Sequence, residues 1–393
     1  MRSILILRRP AALAAALLLT SSAAGQAPDP PPPAFQAKVA YLGEYARNLA
    51  GGIRGGGALQ GLVQLGAAVD TGAAGWWSGG RLFLRGIHLH GSDPGTNRVG
   101  VFQTATNIEG PSTTRLDRLG YDHAFADSGL SLRLAMYDLS DEFTVAGPAG
   151  AFLNSSFGFQ PDLGLNLSLS TYPISALGLR VAWESEAVDL RAAVFDGKPA
   201  TLDDRDHGRF IHLSAGDGAF VLAEAAWRPA PDDSAGAELK LGAWRHSDDF
   251  RDLRAIGPAP RFDGNHGFYA VGSSCLAGDP EGRRLDGFFK TGWAPEDRNP
   301  VALFLGGGLV WRGPLEVRPD DEAGLAVARV NFSHPWRQHS GVAAHETVVE
   351  LSYRFDLGDH LALRPDLQWI RHPSVAPGLD DAWLALLRVE IVF

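Results

Sequence analysis

The sequence predicts an all-β fold: a transmembrane antiparallel β-barrel of about 16 strands that follows a cleaved signal peptide. Three observations carry this. Stretches of about ten residues with period-two alternation recur from residue 36 onward, separated by Gly, Pro, Asp and Asn, and helical periodicity is scarce between them. The alternation sets an apolar face against a charged one, with aromatic residues near the strand ends. The last residue, Phe393, lies on an apolar face, as the C-terminal strand signal of such barrels requires. Composition excludes the competing classes. With 45% hydrophobic residues the 393-residue chain is not disordered, and one Cys cannot build a disulfide scaffold. No apolar run of about 20 residues follows residue 20, so a bundle of membrane helices is excluded as well.

The elements follow in order. Arg2, Arg8 and Arg9 precede the apolar core AALAAALLL (11–19) and the small residues TSSAAG (20–25), the layout of a Sec-type signal peptide over 1–24, cleaved after Ala24 or Gly25. Pro10 follows Arg8-Arg9 and the rest of a twin-arginine pattern is missing, while no Cys follows to carry a lipid. APDPPPPAF (27–35) marks a Pro-rich, exposed leader over 25–36. Residues 37–393 show no fixed repeat, linker or composition shift and are expected to form one barrel domain. About 366 mature residues at roughly 20–25 per strand and connection give about 14–18 strands, of which the even number 16 is preferred.

Strand by strand, SLRLAMY (131–137) sets Leu132, Leu134 and Met136 against Ser131, Arg133 and Ala135. AELKLGAWRH (237–246) sets Leu239, Leu241 and Ala243 against Glu238, Lys240, Gly242 and Trp244. In HETVVELSYRF (345–355), Thr347, Val349, Leu351, Tyr353 and Phe355 oppose Glu346, Val348, Glu350, Ser352 and Arg354. LALRPDLQWI (361–370) opposes Leu361, Leu363, Pro365, Leu367 and Trp369 to Arg364, Asp366 and Gln368. The terminal AWLALLRVEIVF (382–393) opposes Trp383, Ala385, Leu387, Val389, Ile391 and Phe393 to Leu384, Leu386, Arg388, Glu390 and Val392. A soluble sandwich would turn the apolar face inward, whereas a membrane barrel turns it to lipid and the charged face to a wet lumen. Aromatics at strand ends and alternating short turns and long polar loops favour the barrel.

Ten blocks in order resemble the carbohydrate-selective porins of the OprB type, outer-membrane channels for sugars. They begin at YLGEYARNLAGGIRGG (41–56), GVFQTATNIEGPSTTRLDRLGYDHAF (100–125), SLRLAMYDLSDEF (131–143) and FLNSSFG (152–158). They continue through YPISALGLRVAWE (172–184), LRAAVFDGKP (190–199), LKLGAWRHSDDF (239–250) and FFKTGWAPEDRN (288–299), and close with GLVWRGPLEVRPDDEAGLAVA (308–328) and VELSYRFDLGDHLALRPDLQWIRHP (349–373). The resemblance implies 16 strands in the outer membrane and passive, saturable diffusion of mono- or oligosaccharides into the periplasm. This chain departs from the family where Arg118 stands for a usual Glu, Gly120 for a Trp and Lys290 for an Arg. Arg118, Asp122 and Lys290 fall on the lumen face, so the charge map of this pore differs.

A sugar channel needs hydrogen-bonding groups that replace hydration and aromatic faces for pyranose rings. The expected lining residues are Arg118, Asp122, Arg133, Lys290, Glu346, Glu350, Arg364, Asp366, Gln368, Arg388 and Glu390, with Trp244 as a stacking platform. The bland reading is that they solvate a lumen wall and neutralise one another across strands. Trp369 and Trp383 read as lipid-belt anchors. His334, His339 and His345 lack metal-ligand spacing, and the acidic spots 203–206, 248–249 and 320–322 lack calcium-loop spacing, so no metal is expected. No nucleotide or cofactor fingerprint occurs, and no cofactor is expected. A net charge of −10 without a basic cluster argues against nucleic acid. Expected partners are sugars, outer-membrane lipid and the barrel-assembly machinery, the last through the strand ending in Phe393. Two alternatives stand beside the sugar channel. One is a general small-solute or ion porin of the same build. The other is an exported glycoside hydrolase using Glu346 and Glu350, which lie about 13 Å apart at roughly 3.3 Å per residue, beyond the roughly 6.5–9.5 Å of an inverting pair.

Overall fold

The computed structural model describes residues 33–199, 206–209, 211, 213–214, 216–230, 236–255 and 257–393. The signal peptide, residues 25–32 of the leader and 203–205 of the first acidic spot lie outside them. The strands are β1 (Phe35–Ala50), β2 (Gly56–Asp70), β3 (Gly80–Gly91), β4 (Thr113–Ala124), β5 (Leu130–Tyr137), β6 (Ala176–Glu184), β7 (Val188–Asp196) and β8 (Ala219–Trp227). They continue as β9 (Glu238–Arg251), β10 (Arg261–Gly278), β11 (Arg284–Trp293), β12 (Val301–Arg312), β13 (Glu322–Phe332), β14 (His345–Asp356), β15 (Leu361–Arg371) and β16 (Ala382–Val392). Each pairs antiparallel with its sequence neighbours, and β1 pairs with β16 to close a 16-stranded barrel. β1 starts at Phe35, so the last two residues expected in the leader belong to the barrel.

Closure leaves no sheet edge, as a lipid environment demands. At the seam Phe393 exchanges backbone hydrogen bonds with Val39, at 2.8 and 3.1 Å. The expected alternation holds on β14, β15 and β16, where Leu351, Leu367 and Leu387 point outward and Glu350, Asp366 and Arg388 are enclosed. Pro365 sits mid-strand on the outer face of β15. Lacking an N–H, it interrupts the β14–β15 ladder, whose pairing skips from Ser352–Asp366 to Phe355–Leu363. Aromatic residues form two outward belts. Trp183, Trp227 and Trp311 mark the end that carries both termini of the barrel, and Trp293 and Trp383 mark the other. Trp293 pairs opposite Leu303, eight positions from Trp311 on β12, which is about 26 Å along the strand. At a tilt of roughly 40° this spans about 20 Å of membrane, near the apolar band of such barrels.

The connections are asymmetric. At the terminal end they are short, while the opposite end carries 92–112, 138–175 and 197–218. By the short-turn, long-loop rule the latter end is extracellular. Loops 92–112 and 138–175 turn into the barrel instead of standing above it.

Candidate functional site

Loop 138–175 enters the lumen with an apolar core of its own. Leu139, Phe143, Phe152, Leu153, Phe157 and Leu163 are buried against inward-facing Phe195, Phe220, Trp244, Tyr269, Phe288 and Phe304 of β7 to β12. The Phe152 and Phe157 rings stand 5.8 and 6.1 Å from Phe288. On this side the inward face carries a packed aromatic cluster, and the expectation of a mostly charged face lining a wet lumen is corrected here: a wall on which a loop packs by apolar contact needs a greasy patch. Trp244 belongs to this core, 3% exposed and packed on Phe220 at 6.1 Å.

The rest of the inner wall is charged, and its charges hold the loops. Glu346 accepts from the backbone N–H groups of Phe102 (2.8 Å), Gln103 (2.7 Å) and Ser374 (2.8 Å). Glu350 accepts from Leu153 and Asn154 N–H. Gln368 donates to the Ala105 carbonyl at 2.8 Å and to Asp366 at 3.2 Å. Arg364 donates to the Gly150 carbonyl at 3.1 Å and pairs with Glu390 at 3.2 Å. Arg388 donates to Glu44, Thr106 and Asn107 at 2.7–2.8 Å. Lys290, across the lumen, caps the Phe157 and Gly158 carbonyls at 2.9 and 2.6 Å. Short loop turns leave backbone groups without helix or sheet partners, and these side chains satisfy them.

On the inner wall, among the described residues, four pairs of arginines face each other directly across neighbouring strands: Arg85 and Arg118, Arg133 and Arg180, Arg364 and Arg388, and, held by Asp286, Arg284 and Arg312. Like charges so placed repel, and each pair is held by carboxylates. Asp117 takes Arg85 at 2.9 Å, and Asp141 of the loop takes Arg118. Glu142 bridges Arg133 (3.1 Å) and Arg180 (2.9 Å), and Asp122 adds two bonds to Arg133 at 2.6 and 2.8 Å. Burial alone would raise the Glu142 pKa, but the two guanidinium groups outweigh it and lower it below the usual carboxylate range. Asp141 is pushed up to about 7 by burial and by Asp138 despite Arg118. Arg118, Arg133 and Arg180 keep about a tenth of their side-chain surface open, and Asp122 a fifth.

All the expected lining residues thus face inward, but Glu346, Glu350, Lys290, Arg364, Gln368 and Arg388 are occupied by the loops. The sequence reading missed Glu44, Arg85, Asp117 and Arg180, and Glu224 of β8, which accepts from the Thr144 backbone N–H at 3.0 Å and the Tyr269 hydroxyl at 2.9 Å. Alternation in LFLRG and LGLRV marks Arg85 and Arg180. Asp117 is different: a register shift opposite Arg85 and Gly86 inserts one extra residue into β4, so that Asp117 and its neighbour Arg118 both turn inward. Gly120, where the family usually has Trp, leaves no room for a side chain, because a Cβ there would stand 2.1 Å from that of Ala135. A cavity of about 370 Å³ between Trp227, Leu239, Leu276, Phe289 and Leu309 opens on the outer wall, toward lipid. Among the described residues no group of three or more His, Cys, Asp or Glu is placed to hold a metal ion.

Known proteins share this build. Porin B of Pseudomonas aeruginosa is 25% identical, over 91% of this chain and 87% of its own length. The high-pH structure of Pseudomonas putida OprB superposes with a TM-score of 0.83 at 22% identity, covering 92% of this chain and 94% of that one. A Rhodopseudomonas blastica porin shares the fold at 9% identity and a TM-score of 0.53, over 91% of this chain and all of that one. The family model described as carbohydrate-selective porin, OprB family, matches residues 54–393. The chain belongs to the carbohydrate-selective porin family OprB, channels of the outer membrane and not enzymes.

Proposed function

We propose that this porin passes glucose-like mono- or oligosaccharides along the charged side of its lumen, past the arginine pairs, while loop 138–175 closes the apolar side. One observation carries the reading: two loops are pinned across the lumen by buried charged residues of the wall, leaving Arg85, Arg118, Arg133 and Arg180 with Asp117, Asp122, Asp141 and Glu142 as the polar face beside them. Multi-donor guanidinium groups next to acceptor carboxylates suit hydroxyls that both donate and accept. On this reading Glu346, Glu350, Lys290, Arg364, Gln368 and Arg388 shape the pore by holding the loops. Arg118, Asp122, Arg133 and Glu390 meet the permeant. Export through the signal peptide at 1–24, cleavage before the leader, and insertion by the barrel-assembly machinery through the strand ending in Phe393 complete the proposal.

Planar-bilayer recording tests it. Millimolar glucose or a short glucose oligomer is expected to reduce the ion current through single channels reversibly. An unchanged current would replace the sugar reading with that of a general small-solute or ion porin.

A further inference from the structure

The outer wall should be apolar between its aromatic belts, yet near the extracellular end two arginines flank a threonine in a row across three adjacent strands. Arg329 of β13 pairs opposite Thr347 of β14, which pairs opposite Arg371 of β15, and all three side chains point outward. At about 4.8 Å between strands, the two arginines stand roughly 10 Å apart with the Thr347 hydroxyl between them. One step further toward the loops lie Asn331, His345 and His372, the two imidazole rings 5.2 Å apart. One step toward the membrane centre the same strands present Val327, Val349 and Trp369, and Trp369 packs beside Trp383. Polar, basic chemistry therefore begins where the apolar, aromatic band ends.

The charges in this row are not neutralised by the protein. Arg329 donates to the Asn331 side chain at 3.1 Å, and among the described residues neither arginine has a carboxylate partner. Asp381 on the adjoining loop is engaged by the His372 backbone N–H at 2.9 Å. By contrast Arg85, Arg118, Arg133, Arg180, Arg364 and Arg388 of the inner wall are each held by an acidic group. An arginine facing lipid is costly unless it sits at the interface and finds an anion. We propose that Arg329, Thr347 and Arg371, backed by His345 and His372, bind a phosphate group of the phosphorylated glycolipid of the outer leaflet, its acyl chains lying over Val327, Val349 and Trp369. Guanidinium groups match phosphate geometry, and charge-assisted bonds at an interface are the strong ones.

The test is native mass spectrometry of the full barrel in detergent, titrated with bisphosphorylated lipid A and with its phosphate-free form. The wild type is expected to retain the phosphorylated lipid. The double variant Arg329→Gln/Arg371→Gln is expected to weaken it by at least about tenfold, the scale of one lost charge-assisted contact. Arg47→Gln, which removes a solitary outward arginine of β1, is expected to leave binding unchanged. Millimolar inorganic phosphate should not displace the lipid. Equal binding by the double variant, or equal retention of phosphate-free lipid by the wild type, would overturn the proposal. Displacement by inorganic phosphate would make the row a free-anion site and overturn the lipid assignment. If the double variant does not give the heat-modifiable folded form, Arg371→Gln alone, at the exposed end of β15, carries the same expected loss in smaller measure, and unchanged binding by it would count against the site.

Discussion

The two halves of the inner wall hold the same loop by different physics. On β7 to β13 the loop is held chiefly by packing, with Phe152 and Phe157 seated on Phe288 within a core that includes Phe220, Trp244 and Phe304, while Lys290, Lys240 and Glu224 add charged contacts to it. On β14 to β16 and β1 to β6 the hold is electrostatic, with carboxylates and guanidinium groups set on backbone ends and on one another. Packing is indifferent to which polar solute passes. The charged half both fixes the loop and presents three of the four facing arginine pairs of the described inner wall, so shape and selectivity are coupled there.

The comparison can be broken from either side. The largest effect is expected from Phe288→Ala on the apolar half. Removing a buried aromatic costs about 3–5 kcal/mol, and the loop should loosen as a unit, giving larger, noisier single-channel currents and a lower temperature for loss of the folded band on unheated gels. On the charged half, Glu142→Gln leaves Arg133 and Arg180 facing each other without their shared carboxylate. Breaking one partner of such a buried pair costs on the order of 3–5 kcal/mol, and sugar block is expected to fall more than conductance rises. Glu350→Gln is milder, because an amide oxygen still accepts from one of the two loop N–H groups. A loss of about 1.5–3 kcal/mol should appear as faster gating with the barrel intact.

The smallest effect is one of pH. Asp162 of the loop is pushed up to about 7 by burial, against the hydrogen bond from Gln160 and the charge of Lys290. Glu109 of the other inward loop is also pushed up to about 7 by burial. A carboxyl raised in the folded state is held best when neutral, so its penalty is absent below the ordinary carboxyl pKa of about 4, grows from there up to about 7, and levels off above that. Thermal stability is therefore expected to rise from pH 8 to pH 6, and Asp162→Asn, which mimics the neutral acid, should flatten part of that slope. A slope of the opposite sign, or one unaffected by the substitution, would contradict this assignment.

Much of this was legible in the sequence, for reasons that also mark where legibility stops. Period-two alternation fixes which face a side chain takes, so Glu350, Arg364, Arg388 and Lys290 fall inward as read. Alternation says nothing of what fills the lumen. Nothing local in residues 138–175 says that this segment turns into the barrel, because its contacts, such as Glu350 with Leu153 and Asn154, span nearly 200 positions. Hence residues expected to face solute face a loop instead, and Trp244, apparently a platform on a polar face, lies in an apolar core. Asp117 was hidden for another reason: one bulged residue breaks the period that the reading relies on.

The central claim is that loops fixed by buried wall charges set a sugar-selective path, and the most direct measurement is single-channel sugar block of the wild type beside the double variant Glu142→Gln/Glu350→Gln. The account predicts a folded, heat-modifiable barrel whose conductance is raised and whose block by glucose oligomers is largely lost. A folded double variant with unchanged conductance and unchanged block would contradict it.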